Sequence, residues 1–205
     1  MSHGLTRAQR DLVSLTALAM LREGPMHPYE IQRLIRERHK EFVTGLPRSL
    51  YHAMERLHRV GWIEPVETTR EGRRPERTVY EITEDGATEL HWWLGRLLST
   101  PDHDQQLFYA ALSFLPLLSG TTAAHALSMR AAALHGEIAR VRASLQALEG
   151  KLPRVVLLEE EYLCIAREAE LRWVRDLIAA IESGEVCWDR DALLALAQER
   201  QRQHG

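Results

Sequence analysis

The stretch that most constrains the fold covers residues 45–63, which predict one short amphipathic helix with a defined start and end. Pro47 suits the first turn of a helix, where a missing N–H removes no hydrogen bond. Gly61 suits the position after the last turn, where a left-handed backbone is common. Between them, four apolar residues recur at helical spacing: Leu50, Met54, Leu57 and Val60. The helix can therefore bury one face and present the other to a partner.

The segment after this helix has the pattern of a β-hairpin. Residues 62–67 and 77–82 alternate between apolar and polar side chains, as strands do. The polar stretch between them, residues 68–75, contains Gly72, Pro75 and several arginines, which is typical of a hairpin tip. Helix, strand, basic loop and strand is the order of a winged helix. In that architecture the helix enters the DNA major groove and the loop lies along phosphate.

Composition sets further bounds. The chain has 205 residues, of which 45% are hydrophobic and 27% are charged, as in globular proteins. No apolar run approaches the roughly 18 to 20 residues that span a bilayer, and the N-terminus lacks a signal-peptide core. Two cysteines, Cys164 and Cys187, are too few for a disulfide scaffold and lack metal-ligand spacing. We therefore predict a soluble cytoplasmic protein without a membrane partner.

The charge distribution matters more than the net charge of −3. Three arginines and one glutamate lie within residues 47–60, and four arginines and two glutamates lie within residues 70–77. Positive charge is thus concentrated on the two elements that would face DNA. Clusters of this size also occur on ordinary solvated surfaces, so they support the interpretation without establishing it.

The remaining N-terminal elements complete the winged helix. Residues 5–21 predict a first helix, and Pro28 suits the start of the helix that precedes the recognition helix. Thr83 followed by two acidic residues predicts an N-cap for a helix that runs to about Leu98. The break at residues 100–102 predicts a boundary between a DNA-binding domain, 1–99, and a helical domain, 100–205.

The C-terminal half predicts two long antiparallel helices, over residues 121–150 and 153–183. Apolar residues in the first alternate between spacings of four and three, which indicates packing along another long helix. The second carries apolar residues on two sides, so it needs two neighbours: the preceding helix and a second subunit. The predicted dimerisation residues are Leu134, Ile138, Val141, Leu145, Leu158, Tyr162, Ile165, Trp173 and Leu177.

Three separate blocks in the first 90 or so residues together resemble the PadR family of bacterial transcriptional regulators. They are residues 24–31 (GPMHPYEI), residues 49–61 with Ser-Leu-Tyr, Glu-Arg-Leu and a final Gly, and residues 72–75 (GRRP) followed by 80–86 (YEITEDG). The resemblance implies winged-helix homodimers that mostly repress promoters and dimerise through a C-terminal helical region. The tail is similar to that of the larger-tailed members. Many members open the recognition helix with a glycine–serine pair, whereas Pro47 and Arg48 precede Ser49 here.

The resemblance and the residue chemistry together predict DNA contacts. The resemblance implies that Ser49, Tyr51 and the two loop arginines contact DNA. Arg48 and His52, one turn apart at the exposed start of the helix, are predicted to contact base edges, since arginine can bind guanine O6 and N7 together. The residues predicted mainly for phosphate are Ser49, Tyr51, Arg56, Arg73, Arg74 and Arg77. Tyr29 can either contact phosphate or pack in the core.

The sequence thus predicts a mainly α protein with a small hairpin wing that binds double-stranded DNA as a homodimer. Two recognition helices roughly 34 Å apart would match a palindromic operator. A winged-helix module that binds protein instead of specific DNA is the alternative. No enzyme, cofactor or metal motif is found in the sequence.

A small aromatic effector is a further expectation from the sequence. Four aromatic residues lie where the two domains should meet: Trp92, Trp93, Phe108 and Tyr109. Aromatic-lined cavities at such junctions bind flat apolar compounds. The alternative is that these side chains fill the dimer core.

Overall fold

The computed structural model describes residues 5–6, 8–69 and 77–204. It confirms a mainly helical fold with one small antiparallel hairpin. The N-terminal elements are α1 (Leu12–Leu21), α2 (Pro28–Glu37), α3 (Arg48–Arg59), β1 (Ile63–Thr69), β2 (Arg77–Ile82) and α4 (Glu84–Ser99). The C-terminal elements are α5 (Gln105–Ser113), α6 (Gly120–Leu148), α7 (Leu158–Glu182) and α8 (Arg190–His204).

Side-chain caps set where the first two helices begin. The carboxylate of Asp11 accepts a hydrogen bond from the backbone N–H of Ser14, so α1 begins at Leu12 and not at residue 5 as predicted. Residues 8–10 before this cap form a single 3₁₀ turn. At α2, His27 accepts from the N–H of Tyr29, and Glu30 accepts from the N–H of His27. These bonds satisfy N–H groups that the helix itself cannot pair.

The recognition helix α3 packs on α1 through its apolar face. Leu50, Met54 and Leu57 are buried, as the sequence pattern predicts. Val60, which we assigned to the same face, follows the helix and is exposed, because the backbone turns away at Gly61 with a φ of 77°. The buried face fixes the helix on the domain and leaves its polar face in solvent.

The hairpin is attached to the rest of the domain at its base. β1 and β2 pair antiparallel from Ile63 opposite Ile82, with an irregularity in register between Pro65 and Glu67. On the other edge of β2, Tyr80 exchanges two backbone hydrogen bonds with Met26, of 2.9 and 3.0 Å. β2 is therefore paired on both edges, with β1 and with Met26, and the pairing with Met26 was not predicted from the sequence.

The start of α4 lies directly against the hairpin. As predicted, Thr83 caps the helix: its hydroxyl accepts from the N–H of Gly86 at 3.1 Å. Gly86 itself is buried, and a Cβ at this position would lie 2.0 Å from the carbonyl oxygen of Trp62. Only glycine fits this close approach between the helix and the chain that leads into β1.

The main hydrophobic core crosses the predicted domain boundary. One cluster of buried side chains extends from Leu5 through Leu98 to Leu127 and includes Val174 of α7. A smaller cluster lies inside the α6–α7 hairpin and contains Leu134, Ile138, Cys164 and Leu171. The helical region thus packs on the N-terminal core through α4 and α6, and the boundary at residues 99 and 100 stays a prediction.

The two long helices are antiparallel, since Arg130 pairs with Glu170 and Arg167 lies beside Glu137. They begin and end within a few residues of the predicted bounds, except that residues 154–156 form a 3₁₀ turn before α7 starts at Leu158. Among the helices that the structure describes, none combines the length and apolar character needed to cross a membrane.

Candidate DNA-binding surface

The solvent-facing side of α3 begins with a linked row of polar side chains. Nε of Arg48 lies 3.4 Å from Nε2 of His52, and Nδ1 of His52 lies 3.6 Å from a carboxylate oxygen of Glu55. All three side chains are exposed. The contact between Arg48 and His52 is long for a hydrogen bond. It orients Arg48 along the helix, but the guanidinium can exchange His52 for a stronger acceptor. The two residues predicted for base edges therefore lie side by side at the start of α3.

Ser49 is less available than the sequence suggests. Its side-chain hydroxyl donates its single proton to the carbonyl oxygen of Thr44 at 3.0 Å. A phosphate oxygen accepts hydrogen bonds but does not donate them, so Ser49 would have to break this contact to bind phosphate. Tyr51, by comparison, is about half exposed, which leaves its side chain accessible from solvent.

Arg56 has an intramolecular partner. Its Nη2 lies 2.5 Å from Oδ2 of Asp11 and 3.2 Å from the hydroxyl of Ser14. The charge that we assigned to phosphate is therefore paired with the N-cap of α1 in this structure. This pair ties the C-terminal half of α3 to the start of α1.

Of the other residues predicted to contact DNA, the structure describes Tyr29 and the backbone of Arg77. Tyr29, at the start of α2, is 65% exposed, so the alternative that it packs in the core is excluded. Arg73 and Arg74 lie outside the described residues. Arg77 begins β2, opposite Thr69, and its backbone places it at the end of the hairpin that leads into the loop.

The predicted dimer residues divide into three groups by burial. Leu134 and Ile138 are buried within the subunit by Cys164 and Leu171, so they are core residues of the helical hairpin and not dimer contacts. Val141, Leu145 and Leu177 are half-buried. The residues that face solvent all lie on one side of α7: Leu158, Tyr162, Ile165 and Trp173.

The four predicted effector residues do not share one cavity. Trp93 is 4% exposed, its indole N–H donates to the carbonyl of Gln9 at 2.7 Å, and it lines a cleft of about 880 Å³ beside Trp62 and Arg56. Trp92, next along α4, lines none of the clefts described here. The helical spacing of Trp93 with Leu90, Leu94 and Leu97 predicts that Trp93 packs inward, and the burial of these four side chains confirms it.

Phe108 and Tyr109 line a second cleft, of about 450 Å³, between α5 and the α6–α7 hairpin. Two buried arginines, Arg130 and Arg167, form part of its wall. The guanidinium of Arg130 lies 3.7 Å from the centre of the Phe108 ring, within the range of a cation–π contact. This cleft therefore combines an aromatic wall with buried positive charge.

Sequence analysis missed the charge network behind this cleft. Arg130 is 2% exposed; its Nε donates to Glu170 at 2.7 Å and its Nη1 donates to the carbonyl of Thr100 at 2.8 Å. Arg167 donates to Glu170 at 2.8 Å and to the carbonyl of Asp102 at 2.9 Å. Burial lowers the pKa of Arg130, although Glu170 acts in the opposite direction. An arginine inside a heptad pattern normally indicates a solvated face, so no pattern in the sequence marks it.

Comparison with known proteins finds similarity to one family of transcriptional regulators. The model of the "Transcriptional regulator PadR-like family" matches residues 17–92. "Negative transcriptional regulator PadR" of Bacillus subtilis (strain 168) is 23% identical over 180 residues, which are 80% of this chain and 94% of that protein.

Two solved structures of Bacillus subtilis PadR are also similar to the chain. The complex with operator DNA is 22% identical, covers 82% of this chain and 98% of its own, and has a TM-score of 0.39. The complex with p-coumaric acid is 19% identical, covers 83% and 99%, and has a TM-score of 0.38. Both TM-scores are low, so the assignment rests on the sequence match, which spans α2, the recognition helix, the hairpin and most of α4. Residues 17–92 of this chain are therefore similar to the PadR-like family of transcriptional regulators.

Proposed function

We propose that the protein is a repressor that binds a palindromic operator as a homodimer, with α3 in the major groove and the hairpin loop along phosphate. The observation that supports this most is the division of α3 into a buried apolar face and an exposed polar face that begins with Arg48 and His52. Among the described residues, the hydrogen-bond contact of Arg48 is the long one with His52, so its guanidinium can turn to guanine O6 and N7. The relative named as a negative regulator supports the repressor assignment.

The proposed phosphate contacts surround this helix. Tyr29 at the start of α2 and Tyr51 on α3 are both exposed, so their side chains can reach phosphate without any rearrangement of the core. Arg73 and Arg74 in the hairpin loop, and Arg77 where β2 begins, are also proposed to contact phosphate. Arg56 and Ser49 join them only if they exchange their intramolecular partners for phosphate.

Selection of bound sequences from a random duplex pool tests this proposal. Arg48→Ala is expected to relax preference at one base position in each half-site, at a cost of roughly 1 to 3 kcal/mol. Arg59→Ala is the matched control, because it removes the same charge from the exposed last residue of α3. The paired change Arg73→Ala with Arg74→Ala should lower affinity for all sequences and reduce the salt dependence.

Two outcomes of the selection experiment would contradict the proposed DNA-binding function. Equal loss of base preference in Arg48→Ala and Arg59→Ala would remove the assigned role of Arg48. Failure to enrich any sequence at moderate salt would favour the alternative, a winged-helix module that binds protein.

The homodimer is proposed to form through α7. Its exposed side carries Tyr162 and Ile165, which are 74% and 67% exposed, with Leu158 and Trp173 toward the two ends. Large apolar side chains in a continuous row are unusual on a monomer surface and are typical of interaction sites. Light scattering coupled to size exclusion should report twice the chain mass, and Ile165→Asp should report the monomer mass.

The effector site is proposed in the cleft lined by Phe108 and Tyr109. A flat aromatic compound could lie against Phe108, and an acidic group on it would compete with Glu170 for the guanidinium groups of Arg130 and Arg167. The complex of Bacillus subtilis PadR with p-coumaric acid makes aromatic acids the first compounds to test.

Thermal unfolding with a panel of aromatic acids tests this site. A ligand should raise the melting temperature of the wild-type protein, and Tyr109→Ala should weaken the effect. Trp92→Ala is the control, because Trp92 is also an exposed aromatic residue but lines no described cleft. A panel without any shift would remove the effector from the proposed function.

A further inference from the structure

The exposed row on α7 has a shape that distinguishes between the two ways in which two copies could pair. This row, called the stripe below, consists of five residues that are all exposed on one side of the helix: Leu158, Tyr162, Ile165, Ala169 and Trp173. Their spacing of three or four residues keeps them within one narrow stripe of an α-helix. The midpoint of the stripe falls between Ile165 and Ala166. Its ends are about 22 Å apart at 1.5 Å per residue.

We propose that a second copy of the chain packs on this stripe with its own α7 antiparallel, about a two-fold axis near Ile165. This register rests on the homodimer proposed above and specifies its geometry. An isologous contact must be self-complementary, so each residue meets the residue at the same distance on the other side of the midpoint.

The sizes of the side chains fit this register. Tyr162 meets the small side chain of Ala169 of the other copy, and Leu158 meets Trp173. A large side chain thus faces a small one on each side of the axis, so that the helices can interdigitate. In a parallel pair, each residue would face itself, and Tyr162 would meet Tyr162 and Trp173 would meet Trp173.

The charges beside the stripe fit as well. Glu161 and Arg172 flank the same edge of the stripe, one near each end of α7. A two-fold axis perpendicular to antiparallel helices brings this edge against the same edge of the other copy. Glu161, which already pairs with Arg154 of its own subunit, then lies beside Arg172 of the second copy as a further partner, and the reverse pair forms at the other end. In a parallel pair, the two-fold axis would run along the helices and place this edge of the two copies on opposite sides of the interface, so that neither pair would form.

The rest of the helical hairpin leaves this side of α7 accessible, and at one end of the stripe the half-exposed Trp173 also packs edge-on against Phe108 of α5. The opposite side of α7 is buried by its own subunit, through Cys164, Leu171 and Val174. The stripe is therefore not a surface that the α6–α7 hairpin needs for its own core.

Engineered cysteines test the register in the full-length protein. The parent variant is Cys187→Ser, which removes the exposed native thiol and keeps Cys164, which is buried. Under mild oxidation, Ile165→Cys in this parent should form a disulfide-linked dimer, because the two copies of this residue lie beside the axis. Leu158→Cys should not link to itself, since its two copies would be about 22 Å apart. An equimolar mixture of Tyr162→Cys and Ala169→Cys, unfolded together and refolded, should link as a heterodimer.

The outcomes separate the register from the dimer itself. Self-linking of Leu158→Cys, with no link in the mixture of Tyr162→Cys and Ala169→Cys, would establish parallel packing and overturn the register. A dimer by light scattering without a link at Ile165→Cys would place the interface elsewhere and leave the homodimer intact. A monomer by light scattering in the parent would contradict the homodimer of the proposed function, and the register with it.

Discussion

The guanidinium of Arg56 lies 2.5 Å from the carboxylate of Asp11, so the recognition helix is joined to the residue that caps α1. Asp11 thus has two functions: it accepts the N–H of Ser14, and it neutralises Arg56. The position of α3 on the domain is set by this polar contact as well as by its buried apolar face.

Two substitutions of Asp11 separate these functions. Asp11→Ala should destabilise the protein by roughly 1 kcal/mol through loss of the cap, with a smaller loss from the half-exposed ion pair. Asp11→Asn keeps an oxygen that can cap Ser14 and should lose only the smaller part. Urea denaturation measures both. Equal losses would mean that the ion pair and not the cap is the main contribution.

Gly86 should not tolerate a larger side chain. The Cβ of Gly86→Ala would overlap the carbonyl oxygen of Trp62, which is backbone and cannot rotate away. We expect a loss of about 3 kcal/mol or more in the free energy of unfolding. Gly95→Ala in the same helix is the control: its Cβ would meet no atom within 4 Å, and it should stabilise the protein by roughly 0.5 to 1 kcal/mol. A thermal melt of each variant decides whether the close contact exists.

Replacing Arg130 should cost more than replacing an exposed arginine in the same helix. Arg130→Met keeps much of the volume but leaves Glu170 without this partner and the carbonyl of Thr100 without a donor. Loss of one member of a buried pair typically costs about 3 to 5 kcal/mol. Arg142→Met is the control, since Arg142 is exposed and pairs with Glu168 at the surface. Similar urea midpoints for the two variants would show that the buried network adds little stability.

Asp102 should contribute to a loss of stability in acid. Burial alone would raise the pKa of Asp102, but the N–H of Asp104 and the guanidinium of Arg10 outweigh it and hold the pKa below its usual value. The native state therefore binds fewer protons than the unfolded state, and the stabilisation is present above the unfolded pKa of about 3.9 and lost as pH falls through the native pKa. Asp102→Asn should be less stable than wild type at pH 7, and the difference should shrink toward pH 3. A constant difference in urea denaturation across this range would contradict the assignment.

Much of the N-terminal half could be predicted because local rules act there without competition. The buried face of α3, the Thr83 cap and the two strands all follow from spacing and from single residues with strong local preferences. What escaped prediction depends on contacts between distant parts of the chain. The bridge between Met26 and Tyr80 is one example, since an isolated backbone pair leaves no pattern in side chains.

The candidate sites were predicted less completely for the same reason. Periodicity identifies an apolar stripe but not its neighbour, so Leu134 and Ile138 were assigned to a second subunit although Cys164 and Leu171 of the same chain cover them. Phe42 and Val43 are buried in a segment between α2 and α3 that reads as a polar loop. Tertiary packing decided each of these positions.

The donation by Arg130 to the carbonyls at the end of α4 has a consequence for protein engineering. Leu97 and Leu98 form, with Thr100, the seam on which the long hairpin rests, although the two leucines belong to the segment predicted as the DNA-binding domain. A chimera that joins this recognition helix to the effector region of a relative should therefore take α4 from the relative. A junction placed after the hairpin, near Thr83, would keep the seam within one parent, whereas a junction at residue 100 would divide it.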